Sequence, residues 1–337
     1  MPAVALLTVA IVASACSSAV KTTSLRRSSS PAAQLQDSYE AVVRAVLPSV
    51  VQISTANSTG SGVVYDSSGD IVTNAHVVGD AKTVEVLPAS GKSMLTANVI
   101  GEFEPDDLAV IRVTKDASTL KVATFGNSDN AAIGEIVLAM GNPLGLTDSV
   151  TQGIISATGR TVSSNEPGGA ALITSAIQTS AAINPGNSGG ALVTLQDQVI
   201  GIPTLAARLP EAGGAAPGIG FAIPSNTVRN IAGQLIKSGK VTMSDRASLN
   251  ITAQTSADAQ GQGTGVAVVE VAKGGAGAKA GLKAGDVIVS VEGQATPSLQ
   301  ALESMLSTLA PGAKVTLQLQ RNGSTATATA TLGSAGS

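Results

Sequence analysis

The chain holds one histidine and one cysteine among 337 residues, so chemistry that needs either has its residue already chosen. His76 stands in Thr73-Asn74-Ala75-His76-Val77-Val78, just behind a β-rich run. An imidazole that titrates near neutrality can take a proton from a hydroxyl and return it to a leaving amine. The candidate hydroxyl is Ser188, in Ile183-Asn184-Pro185-Gly186-Asn187-Ser188-Gly189-Gly190-Ala191-Leu192. Glycines on both sides permit positive φ and leave no Cβ above the turn. Such a loop can point its amides inward beside an exposed hydroxyl, which is what acyl transfer requires of a nucleophile and its oxyanion donors. Taken alone, the pattern reads equally well as a Gly/Ser turn between strands. Asp107, in Pro105-Asp106-Asp107-Leu108-Ala109-Val110-Ile111, opens an apolar strand. A carboxylate there can be buried enough to hold one imidazole tautomer and to stabilise the imidazolium. Asp106 is its rival, but Asp107 enters the apolar run directly.

Three residues so far apart in sequence need a scaffold that brings them together. Val, Ala, Thr, Gly and Ser dominate, which suits short strands and tight turns and predicts a mostly β protein. From Val50 to Ile223 about twelve short runs alternate with Gly/Asn/Asp/Ser turns, a number that suits two six-stranded barrels. Short helices are expected over Asp37–Leu47, ended by Pro48, and over Ser225–Ser238, capped by Ser225 and closed by Gly239. A second unit follows, with strands at Val266–Val271, Lys314–Arg321 and Ala326–Leu332 and a helix over Ser298–Leu309. The divisions are 1–16, an apolar signal-like segment; 17–36, a flexible tether; 37–240, the barrel unit; and 247–333, the second unit.

Composition excludes several functions. Net charge is −3 and aromatic content 1%, so neither a basic field for nucleic acid nor base-stacking platforms are present. One cysteine and one histidine rule out an internal disulfide and a multi-Cys or multi-His metal site, and no metal or cofactor is expected. No nucleotide-binding glycine loop is found.

The order His76, Asp107, Ser188 is that of chymotrypsin. With Gly60-Ser61-Gly62-Val63, Gly141-Asn142-Pro143-Leu144-Gly145-Leu146, Gln178-Thr179 and Gly220-Phe221-Ala222-Ile223-Pro224, it makes the chain resemble HtrA/Deg-type serine proteases over about residues 37–333. The resemblance implies a trypsin-like double β-barrel followed by one PDZ domain, the latter on Ala280-Gly281-Leu282-Lys283-Ala284-Gly285-Asp286-Val287-Ile288. It implies Ser188 as nucleophile, His76 as general base and Asp107 as its orienter. The oxyanion hole would be the amides of Gly186 and Ser188, with Asn187 shaping the loop. The substrate pocket would involve Ile183 and the strand Ile202-Pro203-Thr204-Leu205, favouring a small or aliphatic residue. Ser180 stands where the family usually has Asp after Gln-Thr, a change in loop support. The loop Arg160–Gly169 corresponds to one that relays PDZ or substrate binding in such proteins. A peptide carboxylate would be held at Ser248-Leu249-Asn250-Ile251, with Asn250 in place of the usual glycine. The implied activity is ATP-independent endoproteolysis of unfolded or damaged polypeptides in the bacterial cell envelope, by a homotrimer whose PDZ domain binds C-terminal peptides. A chaperone or peptide-sensing scaffold with weak or latent proteolysis is the alternative. Residues 2–15 followed by Cys16 resemble a bacterial lipoprotein signal, giving membrane contact through a lipid on Cys16; ordinary secretory cleavage near Ala15 is the other reading.

Overall fold

Successive residues of a strand face opposite sides of its sheet, and here both sides are apolar. Val51, Val64, Ile71, Ala109 and Ile111 fill one buried cluster, while their neighbours Val50, Val63, Val72 and Val110 fill another. Strands buried on both faces are what a pair of barrels packed together demands. A computed structural model describes residues 30–89, 93–142, 149–166, 169–184, 186–208, 215–258 and 261–336. Cys16, the segment up to residue 29, the Pro143–Leu146 block, Pro167-Gly168 and Pro185 lie outside the described residues.

The first helix, α1 (Pro31–Val46), begins earlier than expected, inside the stretch read as a tether. Ser30 Oγ accepts the Ala33 N–H at 3.2 Å and Pro31 occupies the first turn, two start signals that the helical spacing of Val42 and Val46 does not reveal. The first barrel comprises β1 (Val50–Ser54), β2 (Thr59–Val64), β3 (Asp70–Thr73), β4 (Thr83–Pro88), β5 (Leu95–Phe103) and β6 (Leu108–Val113). A single helical turn, α2 (Ala75–Val78), lies between β3 and β4. The second barrel comprises β7 (Ile136–Gly141), β8 (Ser149–Glu166), β9 (Gly169–Thr179), β10 (Ala191–Thr194), β11 (Val199–Arg208) and β12 (Ala215–Pro224). The barrels close in the orders β1-β2-β3-β6-β5-β4 and β7-β8-β9-β12-β11-β10. Each has its own interior, and the cluster between them gathers Val50, Phe103 and Leu108 from one and Met140, Val193 and Ile202 from the other.

Helix α3 (Ser225–Ser238) lays Val228, Ile231 and Leu235 onto that shared layer and ends at Gly239, whose φ of 69° is the left-handed cap. Ser225 is not its cap. Its hydroxyl is buried and donates to Gly126 O at 2.7 Å, and Pro224 precedes the helix instead.

The second unit has its own core around Leu249, Val266, Ile288, Leu302 and Leu317. Its strands are β13 (Ala247–Ser248), β14 (Ile251–Ala257), β15 (Gly263–Val271), β16 (Val287–Val291), β17 (Gln294–Ala295), β18 (Lys314–Arg321), β19 (Ser324–Thr331) and β20 (Gly333–Ser334). The main sheet runs β14-β15-β16-β18-β19, so β14 is an edge strand. Two helices complete the unit, α4 (Ala276–Lys279) and α5 (Leu299–Leu306), the latter capped by Ser298 Oγ on Ala301 N.

Candidate active site

Thr204 of the second barrel bridges Ser188 of the same barrel to Asp107 of the first, which holds His76. β3 ends at Thr73, and the one-turn α2 carries His76. Asp107 ends a 3-10 turn over Glu104–Asp106 just ahead of β6, with φ 51° and ψ 45° in the left-handed region. That uncommon backbone for a non-glycine residue aims the carboxylate back at His76. His76 Nδ1 lies 2.9 Å from Asp107 Oδ2 and 3.0 Å from Oδ1, and the His76 amide donates to Oδ1 at 3.0 Å. Because a carboxylate only accepts, the proton sits on Nδ1, which turns Nε2 into the basic nitrogen. Asp107 is 4% exposed, and two further donors hold it. Thr204 Oγ1 donates to Oδ2, and Asn74 Nδ2 donates to the Asp107 carbonyl at 2.9 Å.

The second barrel supplies the hydroxyl. Ser188 lies just ahead of β10, partly exposed, and its Oγ donates to Thr204 O at 3.3 Å. Thr204 therefore touches both the carboxylate and the hydroxyl, one through its side chain and the other through its backbone. Around Ser188 the amides divide into two sets. Those of Asn187, Gly189 and Gly190 donate to Asn184 O, Pro203 O and Asn187 O at 3.0, 2.9 and 2.9 Å. Those of Gly186 and Ser188 have no acceptor among the described residues. Two unpaired N–H groups flanking a hydroxyl are a place for an oxygen that acquires charge.

The glycines of this loop are there because other backbone comes too close. A Cβ on Gly189, at φ 80°, would sit 2.1 Å from Ser61 O, and one on Gly190 would sit 2.1 Å from Met140 O. Ser61 ties the loop to the first barrel: its Oγ donates to Gly186 O, and its amide donates to Ser188 O at 2.9 Å. Asn187 is buried, with Nδ2 on Ala182 O at 3.2 Å. Its side chain shapes the loop, and its amide is already used, so it is not an oxyanion donor.

The expected pocket residues are only partly placed at the site. Ile202 is fully buried in the layer between the barrels. Pro203 serves through its carbonyl, which accepts from Gly189. Thr204 supports the reacting groups, Ile183 packs against Gly220 in the second barrel, and Leu205 continues β11. Ser180 replaces a carboxylate with a neutral acceptor, its Oγ receiving the Ile154 N–H at 3.0 Å. Sequence reasoning missed Asn74 and Ser61 as site supports, although both lie in stretches it singled out.

A groove of about 270 Å³ lies between β14 and α5, lined by Arg246, Leu249, Ile251, Leu302, Glu303 and Leu306. Asn250 has φ 51°, and its side chain bonds Ser334 O at 2.9 Å and Ala276 N at 3.3 Å. Ser248 Oγ accepts the Asn250 amide at 2.9 Å. The Leu249 amide has no acceptor among the described residues. Burial pushes the Glu303 carboxyl above its ordinary range, with Arg246 opposing the shift.

Comparisons agree with this architecture. Residues 60–202 match the trypsin-like peptidase domain family and residues 239–332 the PDZ domain family. Serine protease PepD of Mycobacterium tuberculosis is 38% identical over 324 residues, 90% of this chain and 68% of that protein. Periplasmic serine endoprotease DegP of Escherichia coli K12 is 39% identical over 78% of this chain, which spans 54% of its length. Among solved structures, the serine endoprotease from Yersinia pestis is 34% identical with a TM-score of 0.56, over 88% of this chain and 98% of that one. The HtrA-type protease AlgW with decapeptide is 29% identical with a TM-score of 0.57, over 88% of this chain and 98% of that one. The chain belongs to the HtrA/DegP family of serine proteases, a trypsin-like peptidase domain followed by one PDZ domain.

Proposed function

We propose that this serine endopeptidase cleaves unfolded or damaged polypeptides in the bacterial cell envelope, using His76, Asp107 and Ser188. The observation that carries the reading is the bidentate hold of Asp107 on His76 Nδ1 at 2.9 and 3.0 Å, across from a hydroxyl flanked by two unpaired amides. In the first step His76 Nε2 takes the Ser188 proton as Oγ bonds to the scissile carbonyl carbon. The carbonyl oxygen becomes an oxyanion and receives the Gly186 and Ser188 amides. His76 then gives its proton to the departing amine, and water repeats the sequence on the acyl-enzyme to regenerate Ser188. Asp107 stays ionised throughout and stabilises the imidazolium.

The PDZ groove takes a C-terminal peptide as an added strand on the free edge of β14. The terminal carboxylate lies on the Leu249 amide within the Ser248–Ile251 loop, and the apolar side chains rest against Leu302 and Leu306. Relatives named periplasmic support an envelope location; the sequence resemblance is what supports a homotrimer and a lipid anchor on Cys16. A fluorophosphonate label tests the site directly. It attaches to Ser188 in the natural chain and fails in Ser188→Ala and in His76→Ala; labelling of His76→Ala at the natural rate would remove His76 from the reaction.

A further inference from the structure

Asn74 follows β3 and caps α2, a position where an asparagine side chain ordinarily bonds an amide of the first helical turn. Here it makes no such bond. The Val77 amide goes to the Asn74 backbone carbonyl at 3.2 Å, and Nδ2 reaches across to the Asp107 carbonyl at 2.9 Å. The register explains that reach. β3 and β6 run antiparallel, and their last partners before α2 are Thr73 and Ala109. Beyond them the ladder stops, and the side-chain amide supplies the donor that the ladder no longer gives.

Asp107 has need of that donor. Its φ of 51° and ψ of 45° are left-handed, a conformation that an aspartate keeps where its surroundings impose it. On one side its amide donates to Glu104 O at 2.9 Å, and on the other its carbonyl accepts from Asn74. The same short segment also brings the His76 amide and Nδ1 to the carboxylate, at 3.0 and 2.9 Å. Asn74 thus holds the main chain of Asp107 while His76 meets its side chain, and the two are separated by a single residue.

A second observation sets the amide apart from packing. Asn74 is fully buried, yet its Oδ1 has no hydrogen-bond partner among the described residues. A buried acceptor left unpaired costs stability, and an apolar side chain would avoid that cost. The amide is a poor choice for folding and a good one for holding the Asp107 carbonyl.

We propose that Asn74 is a positioning residue that acts through Asp107: its Nδ2 fixes the left-handed backbone that aims the carboxylate at His76 Nδ1. This rests on the protease reading above.

The test uses the full chain and four variants: Asn74→Ala, Asn74→Asp, Asp107→Asn and the double variant Asn74→Ala with Asp107→Asn. Asn74→Asp keeps the shape and, when ionised, has no proton to donate. A short peptide substrate gives kcat and KM, and melting curves report folding. Both Asn74 variants should lower kcat by about 10- to 100-fold with KM little changed, because a small displacement of the carboxylate spoils the imidazole's orientation. In the Asp107→Asn background, Asn74→Ala should change kcat by less than about twofold, since the group it acts through is already gone. The single histidine adds a direct readout, because imidazole-labelled protein has one ring to observe. Its Nδ1 proton should resonate at low field in the natural chain, and in Asn74→Ala move upfield or exchange away. Asn74→Ala should melt close to the natural chain. An unchanged kcat in both Asn74 variants, the full loss repeated in the Asp107→Asn background, or a lowered kcat with the Nδ1 proton unmoved would overturn the proposal. Unfolding of both Asn74 variants would also overturn it, by assigning the amide to stability. Failure of the natural chain to turn over any substrate or to take the fluorophosphonate would instead contradict the protease reading.

Discussion

At the scale of single residues, Thr204 changes role most between sequence and structure. Its place in the Ile202–Leu205 strand suggested a pocket wall, but its hydroxyl supports Asp107 and its carbonyl receives Ser188 Oγ. Strand alternation says that Thr204 faces away from its neighbours; it does not say that another barrel's carboxylate waits there. Thr204→Val keeps the shape and removes one donor to an ionised acceptor, a bond of about 1.5–3 kcal/mol. Steady-state kinetics should show kcat lowered about tenfold or more, with KM little altered. Equal kcat would assign Thr204 to packing alone. Gly189→Ala tests the loop in the same way. Its Cβ collides with Ser61 O, and its φ of 80° is unfavourable for alanine, so fluorophosphonate labelling of Ser188 should be lost. The contact between His76 and Asp107 was legible because a single histidine left no competing choice, and because Asp107 abuts Leu108 where Asp106 does not. Asp106 found a different use, as the partner of Arg246.

At the scale of elements, the number of strands and the two barrels could be read from turn spacing and β-branched runs. The shared strand order of the barrels could not, since it lies in how the strands pair and not in any one strand. Edges were harder to place than existence. β8 and β9 extend to Glu166 and Gly169, well past the runs at Val150–Ala157 and Leu172–Ile177, because the polar end of β8 pairs with Gly169, Ala170 and Ala171 of β9. Ser225 illustrates a local rule overridden by tertiary contact: a serine at a helix start reads as a cap, and here Gly126 O takes its hydroxyl. In the PDZ domain, Asp286 of the block that carried the resemblance is buried and bonded twice by Arg321, at 2.7 Å each. Those bonds hold its carboxyl below the ordinary range. A depressed folded-state value stabilises the fold above the unfolded value of about 3.9 and is lost as pH falls through the folded one. Asp286→Asn should therefore lower the melting temperature near neutral pH, with a gap to the natural chain that narrows below about pH 4. A gap independent of pH would mean that packing, and not the ion pair, is what the variant lost.

At the scale of the whole molecule, the sequence already described a double barrel followed by a PDZ domain, since each contributes its own motif blocks. How the two domains touch was not legible. Arg246 stands in a polar connecting stretch, and nothing in that stretch says its guanidinium crosses to Pro105 and Asp106. The proposed lipid on Cys16 makes a further prediction. Cells expressing the natural chain should hold it in the membrane fraction, and Cys16→Ala should release it; equal membrane retention of both would remove the lipid from the account. Activity should rise with pH as His76 loses its proton, because only the neutral imidazole can accept the Ser188 proton. A rate that is flat from about pH 5 to 9 would separate His76 from the rate-limiting chemistry.

The most direct measurement is cleavage of an unfolded protein, β-casein, by the chain lacking residues 1–16 beside its Ser188→Ala variant. The account predicts that β-casein disappears into fragments with the first and stays intact with the second, both proteins melting alike. Cleavage that persists in Ser188→Ala would contradict it.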